Sequence, residues 1–165
     1  MSQAYAKLAA VSFSSLVQRL KEGLSTEPQS SQSHEERLRL ATAAVLLDIA
    51  YADGTFTPAE GGNVVEYLQK AFALTSGDTQ ELLDAARGIR DHTIDHFAMT
   101  NYIRKNVALD ERMEIVRTMW RTAYADGKLT EYENYLVRKL ADLLGLEHHV
   151  MIETKVSVLR EMEGT

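Results

Sequence analysis

The residues of this chain best suited to chemistry stand in two copies of one short stretch, Ala-Tyr-Ala-Asp-Gly, at 50–54 and 123–127. Each copy is trailed by a glutamate, Glu60 after Asp53 and Glu133 after Asp126, at one common offset of 73 residues (126 − 53 and 133 − 60). An Asp-Gly pair with a trailing Glu is the second half of a calcium-binding EF-hand loop. Asp fills position 5, Gly makes the bend at 6, a backbone carbonyl ligates from 7 (here Thr55 or Lys128), and Glu closes the site at 12. The first half is missing. Positions 1 and 3 fall on Ile49 and Tyr51 in one copy and on Thr122 and Tyr124 in the other. A calcium ion takes about six or more oxygens, so an ordinary EF-hand is not expected.

Structural roles compete for the same residues. Thr57-Pro58-Ala59-Glu60 and Thr130-Glu131-Tyr132-Glu133 fit capping boxes, in which threonine and glutamate satisfy free N–H groups at a helix start. Both glycines fit helix stops. The aspartates fit less well, because a carboxylate in the last turn of a helix faces the negative end of the macrodipole, at a cost of roughly 0.3–1 kcal/mol. An Asx turn would account for them; a cation or a basic partner at the turn is the other reading. Asp48 lies in an apolar run and needs a partner, since an isolated buried carboxylate is costly. Arg117 or Arg121 is the expected partner. The alternative is a cation site shared by Asp48, Asp53 and the second turn.

Other chemistry is weakly signalled. His92 and His96 have the i, i+4 spacing that can hold zinc, but with no clear third ligand they read as solvated surface residues. No phosphate loop and no Gly-x-Ser-x-Gly occurs. Eight of the ten serines fall in the first 33 residues, away from any histidine-rich segment, so no nucleophile with a base is found.

The elements that must position these residues are helices. Apolar spacing predicts an amphipathic N-terminal helix within residues 1–23, on Tyr5, Leu8, Phe13, Leu16, Val17 and Leu20. A polar linker with Pro28 follows at 24–33, and then a helical domain over 34–163. Ser33 to Glu36 fits a capping box for a nearly all-apolar helix from Leu40 to Ala52, which is expected to be central and buried. Further helices are expected after Thr57, from Asp78, from Asp110, after Thr130, and from about Glu147 to Met162, with a kink or break around 88–93. Val150, Met151, Val156 and Leu159 are the apolar positions of the last one. The expected fold is all-α: one compact bundle of seven or eight helices with two pseudo-repeated helical hairpins.

Composition narrows the partners. The net charge of −6 disfavours nucleic acid, whose binders carry a basic patch. The absence of cysteine excludes disulfides and thiolate chemistry and fits a reducing compartment. No apolar run approaches the ~20 residues that span a bilayer, and no secretory signal is recognised.

The segment Met119 to Glu133, the stretch Ala50 to Glu60 and the run Leu140-Ala141-Asp142-Leu143-Leu144-Gly145-Leu146 resemble the TerB-like tellurite-resistance family, over roughly residues 35 to 160. The resemblance implies a small, all-helical bacterial cytoplasmic domain, associated with stress resistance and with membrane-bound and calcium-binding partners. A related domain occurs in membrane-anchored co-chaperones. It also implies that Asp53, Glu60, Asp126 and Glu133 are candidates for holding a metal. Asp48 has no counterpart in the second repeat, where Arg121 stands, which speaks against two symmetric sites.

The expectation is therefore a non-enzymatic interaction module of a stress response, cytoplasmic or peripheral to the inner face of the membrane, with protein partners. Its candidate cation site (Ca, Mg, Mn or Zn) would use Asp53, Glu60, Asp126, Glu133 and Asp48. The alternatives are a metal-dependent hydrolase, in which the carboxylates hold a cation that activates water, and a purely structural adaptor. Oligomeric state is left open.

Overall fold

A computed structural model describes residues 31–52, 54, 56–91 and 96–164. The N-terminal helix expected within 1–23, most of the linker at 24–33, and Asp53, Thr55, His92 and Asp95 lie outside the described residues. Seven helices make up what is described: α1 Ser31–Ala50, α2 Pro58–Phe72, α3 Ser76–Asp91, α4 His96–Asn106, α5 Leu109–Ala123, α6 Glu131–Leu143 and α7 His148–Glu163. Among the described residues there is no strand, so the fold is all-α. None of these helices is long and apolar enough to cross a membrane.

The apolar run of α1 makes it the axis of the bundle. From Leu40 to Ala50 every residue but Asp48 is buried, and α1 packs against α2, α3, α4, α5 and α6. The second copy of the repeat builds α5, which packs on α1, α2, α6 and α7. The hairpins α1–α2 and α5–α6 thus repeat one design, and a third helix covers each, α3 on α1 and α7 on α5. Trp120 fills the second unit: it is fully buried, and its indole N–H donates to Thr154 Oγ1 at 3.2 Å. The buried threonines need no distant partners. Thr42, Thr118 and Thr122 each donate to the carbonyl four residues back, at 2.8, 2.9 and 2.8 Å.

Several helix starts differ from expectation. α1 is already helical at Ser31, so Ser33 is not its cap and the last three residues of the expected linker are helical. α3 starts at Ser76, because Thr75 Oγ1 accepts the Asp78 N–H at 3.1 Å and does the capping. α5 has Ala108 at its N-cap, and Asp110 accepts from the next N–H, Glu111, at 3.0 Å. In α7 the buried positions are Met151, Thr154 and Val158, whereas Val156 is exposed. The hydroxyl of Thr154, satisfied by Met151 O at 2.5 Å and by Trp120, lets a polar residue take the inner face.

Candidate functional site

Glycine geometry builds both turns. Gly54 and Gly127 have φ of 85° and 84°, a left-handed conformation that L-residues with a Cβ adopt at a cost. Each closes a tight turn by donating its N–H to a tyrosine carbonyl, Gly54 to Tyr51 at 3.0 Å and Gly127 to Tyr124 at 2.9 Å. The chain then extends through Thr57 and Thr130, whose hydroxyls accept the Glu60 and Glu133 N–H groups at 3.2 and 3.0 Å. Both threonines are thus the caps the sequence predicts. The two glutamates are buried in the first turns of α2 and α6, 5% and 4% exposed. Asp126 is exposed, and its Oδ1 accepts the Lys128 N–H at 3.1 Å, which is an Asx turn. Among the described residues no three His, Asp or Glu side chains come together where they could hold a metal ion.

The two turns lie at the same end of the bundle. Asn63 on the second turn of α2 donates to Ala59 O at 3.2 Å and to Arg121 O at 3.3 Å. That places the start of α2, just after the first turn, against the last turn of α5, just before the second.

The partner of Asp48 is neither Arg117 nor Arg121. Its carboxylate meets His96 Nε2 at 2.6 Å, across the α1–α4 contact, with the Asp48 side chain only 12% exposed. Arg117 and Arg121 face away from α1, towards α7. Arg117 bonds to Glu114 at 3.1 Å and to Ser157 at 3.2 Å. Arg121 bonds to Glu114 and Glu161. The pairing also engages His96, one half of the His92–His96 pair; His92 lies outside the described residues.

A groove of about 650 Å³, not among the sites expected from the sequence, runs between α2, α5 and α7. Its α2 wall carries Glu66, Tyr67 and Lys70; its α5 wall carries Glu111, Glu114 and Arg121; Glu161 comes from α7. Arg121 is held on two sides. Nε and Nη2 donate to the two oxygens of Glu161 at 3.0 and 2.9 Å, and Nη1 donates to Glu114 at 2.9 Å. Its hydrogen bonds to the Glu161 carboxylate, with that to Glu114, hold the guanidinium proton above its usual range despite partial burial. Burial alone would raise the Glu114 carboxyl, but hydrogen bonds from Arg121 and Arg117 outweigh it and hold the group below the usual carboxylate range. Glu161 is lowered chiefly by its hydrogen bonds to Arg121. Burial, with the Glu111 and Glu114 charges beside it, pushes the Tyr67 hydroxyl far up, so it stays a neutral donor. Four carboxylates against Lys70 and Arg121 leave the groove a formal charge of −2. A smaller recess of about 410 Å³ between α6 and α7 mixes Arg138, Lys139 and His148 with Asp142.

Sequence reasoning missed the groove because its walls come from three separate helices. Arg121 and Glu161 are 40 residues apart. The available signal was the mismatch within the repeat: Arg121 stands where the first copy has Asp48 (48 + 73), so the two units must solve different charge problems.

No curated protein and no solved structure matches this chain. The family model described as tellurite resistance protein TerB matches residues 39–156, from within α1 to within α7 and across both Asp-Gly turns, and the chain belongs to that TerB family.

Proposed function

We propose that this TerB-family chain is a non-enzymatic interaction module of a bacterial stress response of the tellurite-resistance type, working in the cytoplasm. Its contact surface is the acidic groove between α2, α5 and α7, and its partner presents a cationic segment. The observation that carries this reading is the groove's charge arrangement. Arg121 is already neutralised by Glu161 and Glu114, so the exposed Glu66 and Glu111, outnumbering the exposed Lys70, set the sign that a partner meets. Complementary charge of this kind steers association and selects partners more than it adds raw affinity.

A photo-cross-linking residue at Ala71 in the groove, in bacterial cells challenged with tellurite, tests it. Cross-links to a Lys- and Arg-rich segment of another protein are expected, and the Glu66→Lys/Glu111→Lys variant should lose them while keeping its helical spectrum. Cross-links that persist in that variant would overturn the reading.

A divalent cation at the turns is a second reading. It is favoured by the exposure of Asp126 and by the placing of both turns at one end of the bundle. Calorimetric titration of the metal-free protein with Ca²⁺, Mg²⁺, Mn²⁺ and Zn²⁺, against the Asp53→Asn/Asp126→Asn variant, decides it. Binding that the variant retains, or none at all, removes the turns as a site.

A further inference from the structure

We propose that the recess between α6 and α7 is a binding site for a phosphate group carried by a small soluble molecule. It is a second surface, opposite in sign to the acidic groove, and does not rest on the role of that groove. Asn134, Arg138 and Asp142 stand four residues apart along one stripe of α6, with Lys139 beside them, and His148 lines the recess from α7. The space they enclose is about 410 Å³, within the size range of small-ligand pockets. Lys155, two turns further along α7, joins its edge by donating from Nζ to Asn134 Oδ1 at 3.0 Å.

The recess is cationic in an acidic chain. Arg138, Lys139 and Lys155 against Asp142 give a formal +2, where the whole chain carries −6. That excess matches the −1.5 to −2 or so that a phosphate group carries near pH 7. Among the described residues none of the three cations has a carboxylate at ion-pair distance, although Asp142 is one turn from Arg138. On α5 the opposite holds, and glutamates hold both Arg117 and Arg121. Burial, and then the Arg138 charge, hold the Lys155 ammonium below the usual lysine range. It rests on a neutral amide and on the ring of the buried Trp120, 4.9 Å from the centroid. An anion between Arg138 and Lys155 relieves that crowding. Arg138 supplies a planar fork of donors suited to phosphate oxygens, and the two lysines supply point charges.

The fold does not require these cations. In the first repeat Val65 and Glu66 stand 73 residues before Arg138 and Lys139, and α2 still forms the same threonine-capped helix as α6. The basic lining belongs to the second repeat alone.

Trp120 is the single tryptophan, so its emission reports on Lys155. The full-length protein is titrated with methyl phosphate and with inorganic phosphate at constant ionic strength, following Trp120 emission and amide shifts. Expected is a saturable change in emission, with shifts at Arg138, His148 and Lys155. Arg138→Gln/Lys139→Gln should keep the helical spectrum and weaken binding at least about tenfold. Arg138→Lys should weaken it less than Arg138→Gln, and Lys128→Gln, at an exposed lysine outside the recess, should leave it unchanged. A linear response that sodium chloride reproduces overturns the proposal and leaves an adventitious ion only. Shifts centred on another face overturn it too. So does uptake by phosphatidylglycerol vesicles through Arg138 and Lys139 with no saturable response to methyl phosphate, which would make the recess a membrane contact. None of these outcomes touches the cross-links from Ala71, so the groove is judged separately.

Discussion

Arg121 and Glu161 face each other through two parallel hydrogen bonds of 3.0 and 2.9 Å, joining the C-terminal turns of α5 and α7, while the third guanidinium nitrogen reaches back two helical turns to Glu114. This planar, forked recognition is what arginine supplies and lysine does not. Because Glu161 is half exposed, water and salt screen the pair. Arg121→Ala is expected to lower stability by about 1 kcal/mol in low salt, measured by urea unfolding, with the deficit shrinking at high ionic strength. A deficit independent of salt would mean that the arginine acts through packing alone.

The same network sets an acid limit. Glu114 and Glu161 titrate lower in the folded protein than in the unfolded chain, so the stability they contribute is complete above the unfolded carboxylate value of about 4.3 and is lost as pH falls through their lower folded values. Urea midpoints should therefore fall on acidification below about pH 5. The fall should be shallower in Arg121→Ala, whose glutamates have lost the cation. Equal slopes in the two proteins would count against the network.

Gly61 is required by Phe56. A Cβ at Gly61 would stand 2.7 Å from the Phe56 ring, which stacks on Tyr51 at 4.9 Å and lies under the Arg87 guanidinium at 5.3 Å. Gly61→Ala should cost about 1–3 kcal/mol through overpacking, and Phe56→Leu should recover part of that in the double variant. The second repeat supports the remedy: it carries Leu129 and Asn134 at these two positions, and Asn134 accepts a hydrogen bond from Lys155 at 3.0 Å. Thermal unfolding of the two single variants and the double variant checks it.

The threonine caps are equivalent in the two repeats. Thr57→Ala and Thr130→Ala should each cost about 1 kcal/mol, and Thr→Ser should be nearly silent. Chemical denaturation of the four variants measures this.

Asp48 and His96 should show energetic coupling. In a double-mutant cycle with Asp48→Asn and His96→Gln, a coupling of about 0.5–3 kcal/mol is expected for a contact of 2.6 Å with a mostly buried carboxylate. Additive effects would show that the contact contributes nothing.

The helices were legible in the chain alone, because their determinants are local. The nearly unbroken apolar run from Leu40 to Ala52 marks α1 as the central helix. The Asp-Gly and Thr-x-x-Glu signals mark where hairpins turn, and the 73-residue offset marks the duplication. Gly54 and Gly127 adopt the left-handed backbone, and Thr57 and Thr130 the caps, because each such choice involves only residues four or fewer positions apart. Competing local signals are where the expectation slipped: Thr75 and Ala108, not Asp78 and Asp110, hold the N-cap positions. What tertiary structure alone decided is which charges meet. Asp48 finds His96 rather than an arginine, and Arg121 finds Glu161, because helix rotation and crossing fix which faces touch. Those are set by the packing of the whole apolar core, and no spacing along one helix encodes them. The acidic groove belongs to this second kind, since its sign depends on carboxylates from three helices and on an arginine that the fold has already neutralised.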